Sequence, residues 1–257
     1  MHGDWQVNTA VLFEGEGDLS VAQQLASKLS ITLIASTELN LNQQQQFFLS
    51  WRDGCLTLLG RESLGKRGLT VEIEHRQGEQ RSWPIAKTGA LAQALGRKTK
   101  TVIDATAGWG QDSLAMFRMG YEILAIERSP IMAKLLEDGF RRLAQLDWMQ
   151  QLNLMPPQLH PGNAIEILEQ LAFQPDCIYL DPMFPPKRKK SALAKKSIMT
   201  LRELVGDDTD KEQLFATALK YAGKRVVVKS PDYAEPLGGK PTESFQGKLL
   251  RYDVYLK

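Results

Sequence analysis

Apolar residues follow two different rhythms along this chain, and the change comes near residue 96. Before it, short runs of aliphatic and β-branched residues at 8–13, 31–35, 47–51, 55–59 and 69–75 predict strands, and the Asp53-Gly54 pair between the third and fourth predicts a hairpin turn. Between the first two runs, residues 19–29 carry apolar positions at helical spacing. Residues 1–95 are therefore expected to form a small α+β unit. A helix over about 88–95 then leads into a regular alternation, with strands predicted at 101–105, 122–126, 154–160, 176–180 and 225–229 and helices at 111–119, 130–146, 164–172 and 211–221. Such alternation predicts a mostly parallel, doubly wound α/β sheet over 96–257. Residues 243–257 hold two strand-like pieces about Gly247-Lys248, which predicts a closing antiparallel hairpin.

The first of the parallel strands runs into a glycine turn, TVIDATAGWGQD over 101–112. Strand, glycine turn, helix and second strand, ending on Glu127, make a nucleotide-binding unit. Glycines at 108 and 110 let the backbone approach a ligand, and an acid at the end of the second strand can accept both hydroxyl protons of a ribose. Ser113 stands where the third glycine of the GxGxxG pattern would be.

A second stretch, DCIYLDPMFPP over 176–186, delivers Asp181, Pro182, Met183 and Phe184 to the carboxyl end of a buried strand, where open α/β sheets bind ligands. It is similar to the (Asp/Asn)-Pro-Pro-(Tyr/Phe) motif of amino-group methyltransferases. An exocyclic amine conjugated to a purine is a poor nucleophile, because its lone pair is shared with the ring. The Asp181 carboxylate and the Pro182 carbonyl can hold its two N–H groups and turn the lone pair towards an electrophile. Phe184 is then expected to stack on the base, a contact worth roughly 1 to 3 kcal/mol. Six cations follow, Lys187, Arg188, Lys189, Lys190, Lys195 and Lys196, and are expected to form a phosphate-binding rim whose contribution falls as salt rises.

Composition narrows the setting. A chain of 257 residues can bury a full core. With 32 basic and 30 acidic residues the net charge is +2, so an argument for a nucleic-acid partner has to come from local clustering. Cys55 and Cys177 have no disulfide or zinc spacing, and His2, His75 and His160 are scattered, so no metal is expected. No run reaches the roughly 18 to 20 apolar residues that span a bilayer. The opening MHGDWQVN lacks the basic and then apolar order of a signal peptide, and a cytoplasmic protein is expected.

Together, DATAGWGQD (104–112), IERSP (126–130), LLEDG (135–139), YLDPMFP (179–185), the basic segment through SALAKK (191–196) and VVVKSPDYAEPL (226–237) resemble the bacterial ribosomal RNA small-subunit methyltransferase J family. The resemblance runs from about Asp104 to the end of the sequence. It implies a Rossmann-like class I methyltransferase, S-adenosylmethionine as cofactor, and transfer to a guanine N2 in 16S ribosomal RNA, with that RNA or the small ribosomal subunit as partner. It also implies that Gln111, Asp112, Glu127, Arg128, Gly162, Asn163 and Asp181 contact the cofactor, to which Asp104, Gly108 and Gly110 of the turn are added. For Asn163 a plain helix cap is an equal alternative. Still open are a methyltransferase acting on DNA adenine or a protein amide, a nicotinamide-dependent oxidoreductase, and a non-catalytic RNA-binding protein.

Overall fold

The computed structural model describes residues 8–39, 44–73, 83–184 and 209–257. Two compact units divide them, one within 1–72 together with 134–139, the other within 73–133, 140–193 and 207–257.

The first unit contains strand β1 (Thr9–Phe13), helix α1 (Glu16–Leu29), β2 (Thr32–Ala35), β3 (Phe47–Arg52) and β4 (Cys55–Gly60). These strands form one sheet in the order β2-β1-β3-β4. β1 runs parallel to both of its neighbours, whereas β3 and β4 are antiparallel. Asp53 and Gly54 turn that hairpin with φ of 50° and 73°, the left-handed pair that a two-residue turn between twisted strands requires. Ala10, Leu12, Ile34, Phe48 and Leu59 form the core of this sheet. The run predicted as a strand at 69–75 contributes only a single bridge, Leu69 to Leu58, and residues 74 and 75 lie outside the described residues. Asp138 of the LLEDG stretch is buried here, where its carboxylate accepts the Leu56 N–H at 3.0 Å, so that acid serves packing.

In the second unit, helix α2 (Gly89–Leu95) precedes β5 (Thr101–Asp104), α3 (Gln111–Arg118), β6 (Glu122–Glu127), α4 (Pro130–Ala144, of which 134–139 are counted in the first unit), α5 (Asp147–Gln151), β7 (Gln158–Pro161), α6 (Ala164–Gln170), β8 (Cys177–Leu180), α7 (Lys211–Tyr221), β9 (Arg225–Pro231), β10 (Glu243–Gln246) and β11 (Leu250–Leu256). The sheet order is β10-β11-β9-β8-β5-β6-β7, in which β9, β8, β5, β6 and β7 run parallel and β11 runs antiparallel to both β9 and β10. This is the doubly wound sheet and closing hairpin that the alternation predicts. β7 begins four residues later than predicted because Pro156 and Pro157 have no N–H to give to a ladder. The predicted long helix at 130–146 is α4, and a separate short helix, α5, follows it beyond the predicted end.

Every residue of β8 is buried, as expected of a central parallel strand covered on both faces. Ile103, Ile126, Ile178, Leu180, Val226 and Val228 join Leu168, Leu214 and Ala218 from α6 and α7 in the core of this unit. Strand order reverses at β5: the chain proceeds outward through β6 and β7 on one side and through β8 and β9 on the other. A crevice therefore opens at the carboxyl ends of β5 and β8, where the glycine turn and the DPMF loop emerge. Among the described residues no helix is long and apolar enough to cross a membrane.

Candidate active site

β5 ends on Asp104, and the chain then turns through Gly108 and Gly110, whose φ of 52° and 71° lie in the left-handed region that L side chains disfavour. Gly110 is the N-cap of α3. Asp104 is only 1% exposed, and its carboxylate accepts the Thr106 N–H at 3.2 Å and the Ser113 hydroxyl at 2.5 Å. Thus Ser113, where the glycine pattern fails, ties α3 back to the end of β5. The enclosed Asp104 acts on the turn rather than offering itself at the surface of the crevice.

Burial pushes the Asp104 carboxyl up to about 7, with Asp112 and Asp181 adding to it and the Ser113 and Thr106 donors opposing. The folded protein thus holds this proton more tightly than the unfolded chain, so its contribution to stability is full below about pH 4 and is lost as pH rises through 7. Denaturant unfolding should show a stability decline of up to about 4 kcal/mol across that window which Asp104→Asn removes. An identical pH dependence in the variant would refute it.

Glu127 ends β6 and is 6% exposed. One carboxylate oxygen accepts the Gly108 N–H at 2.8 Å, the other the Ser129 N–H at 2.7 Å, and its carbonyl takes the Gly162 N–H at 2.9 Å. The acid therefore lies directly against the glycine turn. Ser129 caps α4, receiving the Met132 N–H on its hydroxyl at 3.4 Å. Arg128 is exposed and pairs with Asp210 at 3.2 Å. Gly162 has φ 142°, and the exposed Asn163 caps α6 by accepting the Ile165 N–H at 2.9 Å. Gln111 is exposed at the start of α3.

Three elements bring charge together in the crevice. Asp112 comes from the first turn of α3, Asp181 from the residue after β8 and Lys229 from β9. The Lys229 ammonium donates to Asp112 Oδ2 at 2.7 Å and to Asp181 Oδ2 at 2.8 Å. Tyr179, buried in β8, donates its phenol to the same Asp112 oxygen at 2.7 Å. The Asp181 N–H donates to the Thr106 hydroxyl at 2.6 Å, locking the DPMF loop to the glycine turn. Burial by itself would lower the Lys229 ammonium, but Asp181 and Asp112 outweigh it and hold it well above its ordinary value. Tyr252 is the β11 partner of Lys229, and burial first, then Asp112, pushes its phenol up to about 12.

Sequence reasoning did not select Tyr179, and it offers Lys229 only as the first of the polar residues, Lys229 to Tyr233, that gather at the end of the fifth strand. Each interrupts an otherwise aliphatic buried strand, VVVK in β9 and CIYL in β8, and that interruption is the available signal. Pro182 is buried, and Phe184 is 9% exposed with the Lys211 ammonium 5.3 Å from its ring centroid, so a base stacking there would meet a ring already faced by a cation. Lys187, Arg188, Lys189, Lys190, Lys195 and Lys196 lie outside the described residues. Cys177 is buried and its thiol is pushed up to about 12 by burial, which leaves it unreactive at neutral pH. Among the described residues no group of three His, Cys, Asp or Glu side chains could hold a metal ion.

Comparison with known proteins joins this geometry to a family. A family model described as "Putative SAM-dependent methyltransferase" matches residues 32–257. A ribosomal RNA small subunit methyltransferase J from Shewanella amazonensis is 42% identical over 235 residues, 88% of this chain and 92% of the relative. Another protein of that name, from Shewanella loihica, is 40% identical and covers 82% and 83% of the two chains. Among solved structures, a SAM-dependent methyltransferase from Neisseria gonorrhoeae superimposes with a TM-score of 0.65 at 26% identity, covering 96% of each chain.

Proposed function

Since the chain belongs to the ribosomal RNA small subunit methyltransferase J family, we propose that it transfers a methyl group from S-adenosylmethionine to the N2 amine of a guanosine in 16S ribosomal RNA. The donor chemistry of the crevice suits that cofactor: a glycine turn open to close approach, an acid at the ribose position and carboxylates able to face a positively charged sulfonium. S-adenosylmethionine supplies, when bound, a methyl group on a sulfonium that leaves as a neutral thioether. In this assignment Gly108, Gly110 and Glu127 hold its adenosine half, and Gln111, Asp112, Arg128, Gly162 and Asn163 border it.

The observation that carries the proposal is the position of Asp181. It lies at the carboxyl end of β8, its N–H on Thr106 of the glycine turn and its carboxylate in the same cluster as Asp112, so amine acceptor and cofactor seat share one crevice. The Asp181 carboxylate and the Pro182 carbonyl accept hydrogen bonds from the two N2 N–H groups, which would turn the lone pair towards the methyl group. So held, N2 would take the methyl group that the sulfonium supplies, the C–S electron pair staying on sulfur. One N2 proton passes to the Asp181 carboxylate and on to water. That proton is strongly acidic once N2 carries the methyl group, so a carboxylate suffices as base, and most of the acceleration comes from orientation. A guanine in structured RNA has to leave its stack to reach Asp181. The basic residues Lys187 to Lys196 follow directly in the chain and are assigned to the phosphates around it.

Mass mapping of ribosomal RNA from cells with and without the protein should differ by one methyl group on one 16S guanosine, restored by adding protein and S-adenosylmethionine. Incorporation of labelled methyl into DNA or protein instead of ribosomal RNA would overturn the assignment.

A further inference from the structure

Nothing in the methyl-transfer chemistry requires a lysine, yet one stands at the centre of the crevice. Lys229 is 22% exposed, as is Asp112, and Asp181 is 38% exposed. A lone exposed ion pair contributes little. This one differs, because a single ammonium spans two carboxylates that come from different elements, and one of the two is the proposed amine acceptor. Lys229 reaches them from β9, whose backbone is fixed between β8 and β11. Tyr179 fixes Asp112 from β8, and Thr106 fixes the Asp181 backbone from the glycine turn. The carboxylate of Asp181 is thus oriented from two directions, by its own N–H anchor and by the cation at its Oδ2.

We propose that Lys229 is a positioning residue for methyl transfer: by bonding Asp181 and Asp112 at once, it keeps the Asp181 carboxylate ionised and aimed at the guanine amine. The proposal rests on the assignment of Asp181 as amine acceptor. Two carboxylates meeting at one nitrogen resist ionising together once the cation between them is gone, and one then holds a proton to higher pH than it does beside the ammonium. A protonated Asp181 donates where it has to accept, and the N2 lone pair is no longer directed. The other titratable groups facing this cluster among the described residues are Asp104 from β5, Tyr179 from β8 and Tyr252 from β11. The two phenols stay neutral at working pH, and Asp104 adds negative charge as pH rises, which sharpens the need for the cation.

The test compares Lys229→Met, which keeps the stem and removes the charge, with Lys229→Arg, which keeps the charge. kcat and KM for ribosomal RNA are measured from pH 5.5 to 9, with S-adenosylhomocysteine affinity by calorimetry as a control on the cofactor seat. Lys229→Met should lose about 10²-fold in kcat at pH 7, the scale of losing one preorganised polar contact, while KM for RNA changes by less than about threefold. Its rate should climb with pH over a range where the parent enzyme is level, and Lys229→Arg should restore a level profile. A loss confined to KM, or a Met variant with the parent pH profile, would overturn the role. Lys229→Gln replaces the Met variant if that one does not fold. An independent readout separates this proposal from the function it rests on: carbon NMR of protein labelled at the Asp carboxyls follows their titration without any substrate. If Lys229→Met moves no Asp titration, the clamp itself is refuted even in an active enzyme. If it moves one but the parent protein methylates no RNA, it is the function assignment that fails.

Discussion

Asp181→Ala is expected to lower single-turnover methyl transfer by about 10² to 10³-fold or more, the usual consequence of deleting one preorganised polar group aimed at the reacting atom. The fold should survive. Asp181 is partly exposed, and its removal leaves Lys229 still bonded to Asp112, so no buried charge is orphaned. Melting temperature should therefore stay close to that of the parent. Asp181→Asn separates geometry from charge: its amide oxygen can still accept one amine proton, but its amide hydrogens meet the Lys229 ammonium. An intermediate loss of about tenfold is expected for Asn. Labelled methyl incorporation into ribosomal RNA under single-turnover conditions reads both. Full activity in Asp181→Ala would place the amine acceptor elsewhere.

What the sequence makes legible, and what it does not, follows from how far apart the interacting residues lie along the chain. The alternation from Thr101 onward, the glycine turn and the terminal hairpin are local patterns, and the sheet and the turn at Gly108 and Gly110 follow them. The start of β7 depends on two prolines and could have been placed from them. The partners of Lys229 are of another kind: Asp181 lies 48 residues away and Asp112 lies 117, and only the strand order brings β9 beside β8 and α3 across the crevice. No periodicity encodes that meeting. Ser113 is an intermediate case. As a departure from GxGxxG it looks like a weakness of the motif, yet its hydroxyl sits on the buried Asp104 and fastens helix to strand. A side chain there is needed for a bond that glycine cannot make. Asn163, ambiguous between cap and ligand contact, does make the cap, which uses its side-chain oxygen on Ile165 N–H.

Glu127→Ala should have the largest effect on cofactor affinity, because one carboxylate holds the glycine turn and, in the proposed assignment, the ribose as well. Its oxygens accept the N–H groups of Gly108 and Ser129, so truncation leaves two donors beside the cofactor seat without that acceptor, at about 1 to 3 kcal/mol each where water cannot replace it. Charge-assisted hydrogen bonds to ribose hydroxyls contribute about 1.5 to 3 kcal/mol each, and every 1.4 kcal/mol is tenfold in binding. S-adenosylhomocysteine should therefore bind about 10²-fold more weakly, or worse. Glu127→Gln does not rescue the turn, because its amide nitrogen has to face one of the two N–H donors. The ribose contact is isolated by an analogue of S-adenosylhomocysteine lacking the 2′-hydroxyl: the parent protein should discriminate against it, and the Ala variant should bind both ligands alike. If both proteins lose the same factor on the deoxy analogue, Glu127 holds the glycine turn alone, and the ribose is gripped by another group at the same sheet edge.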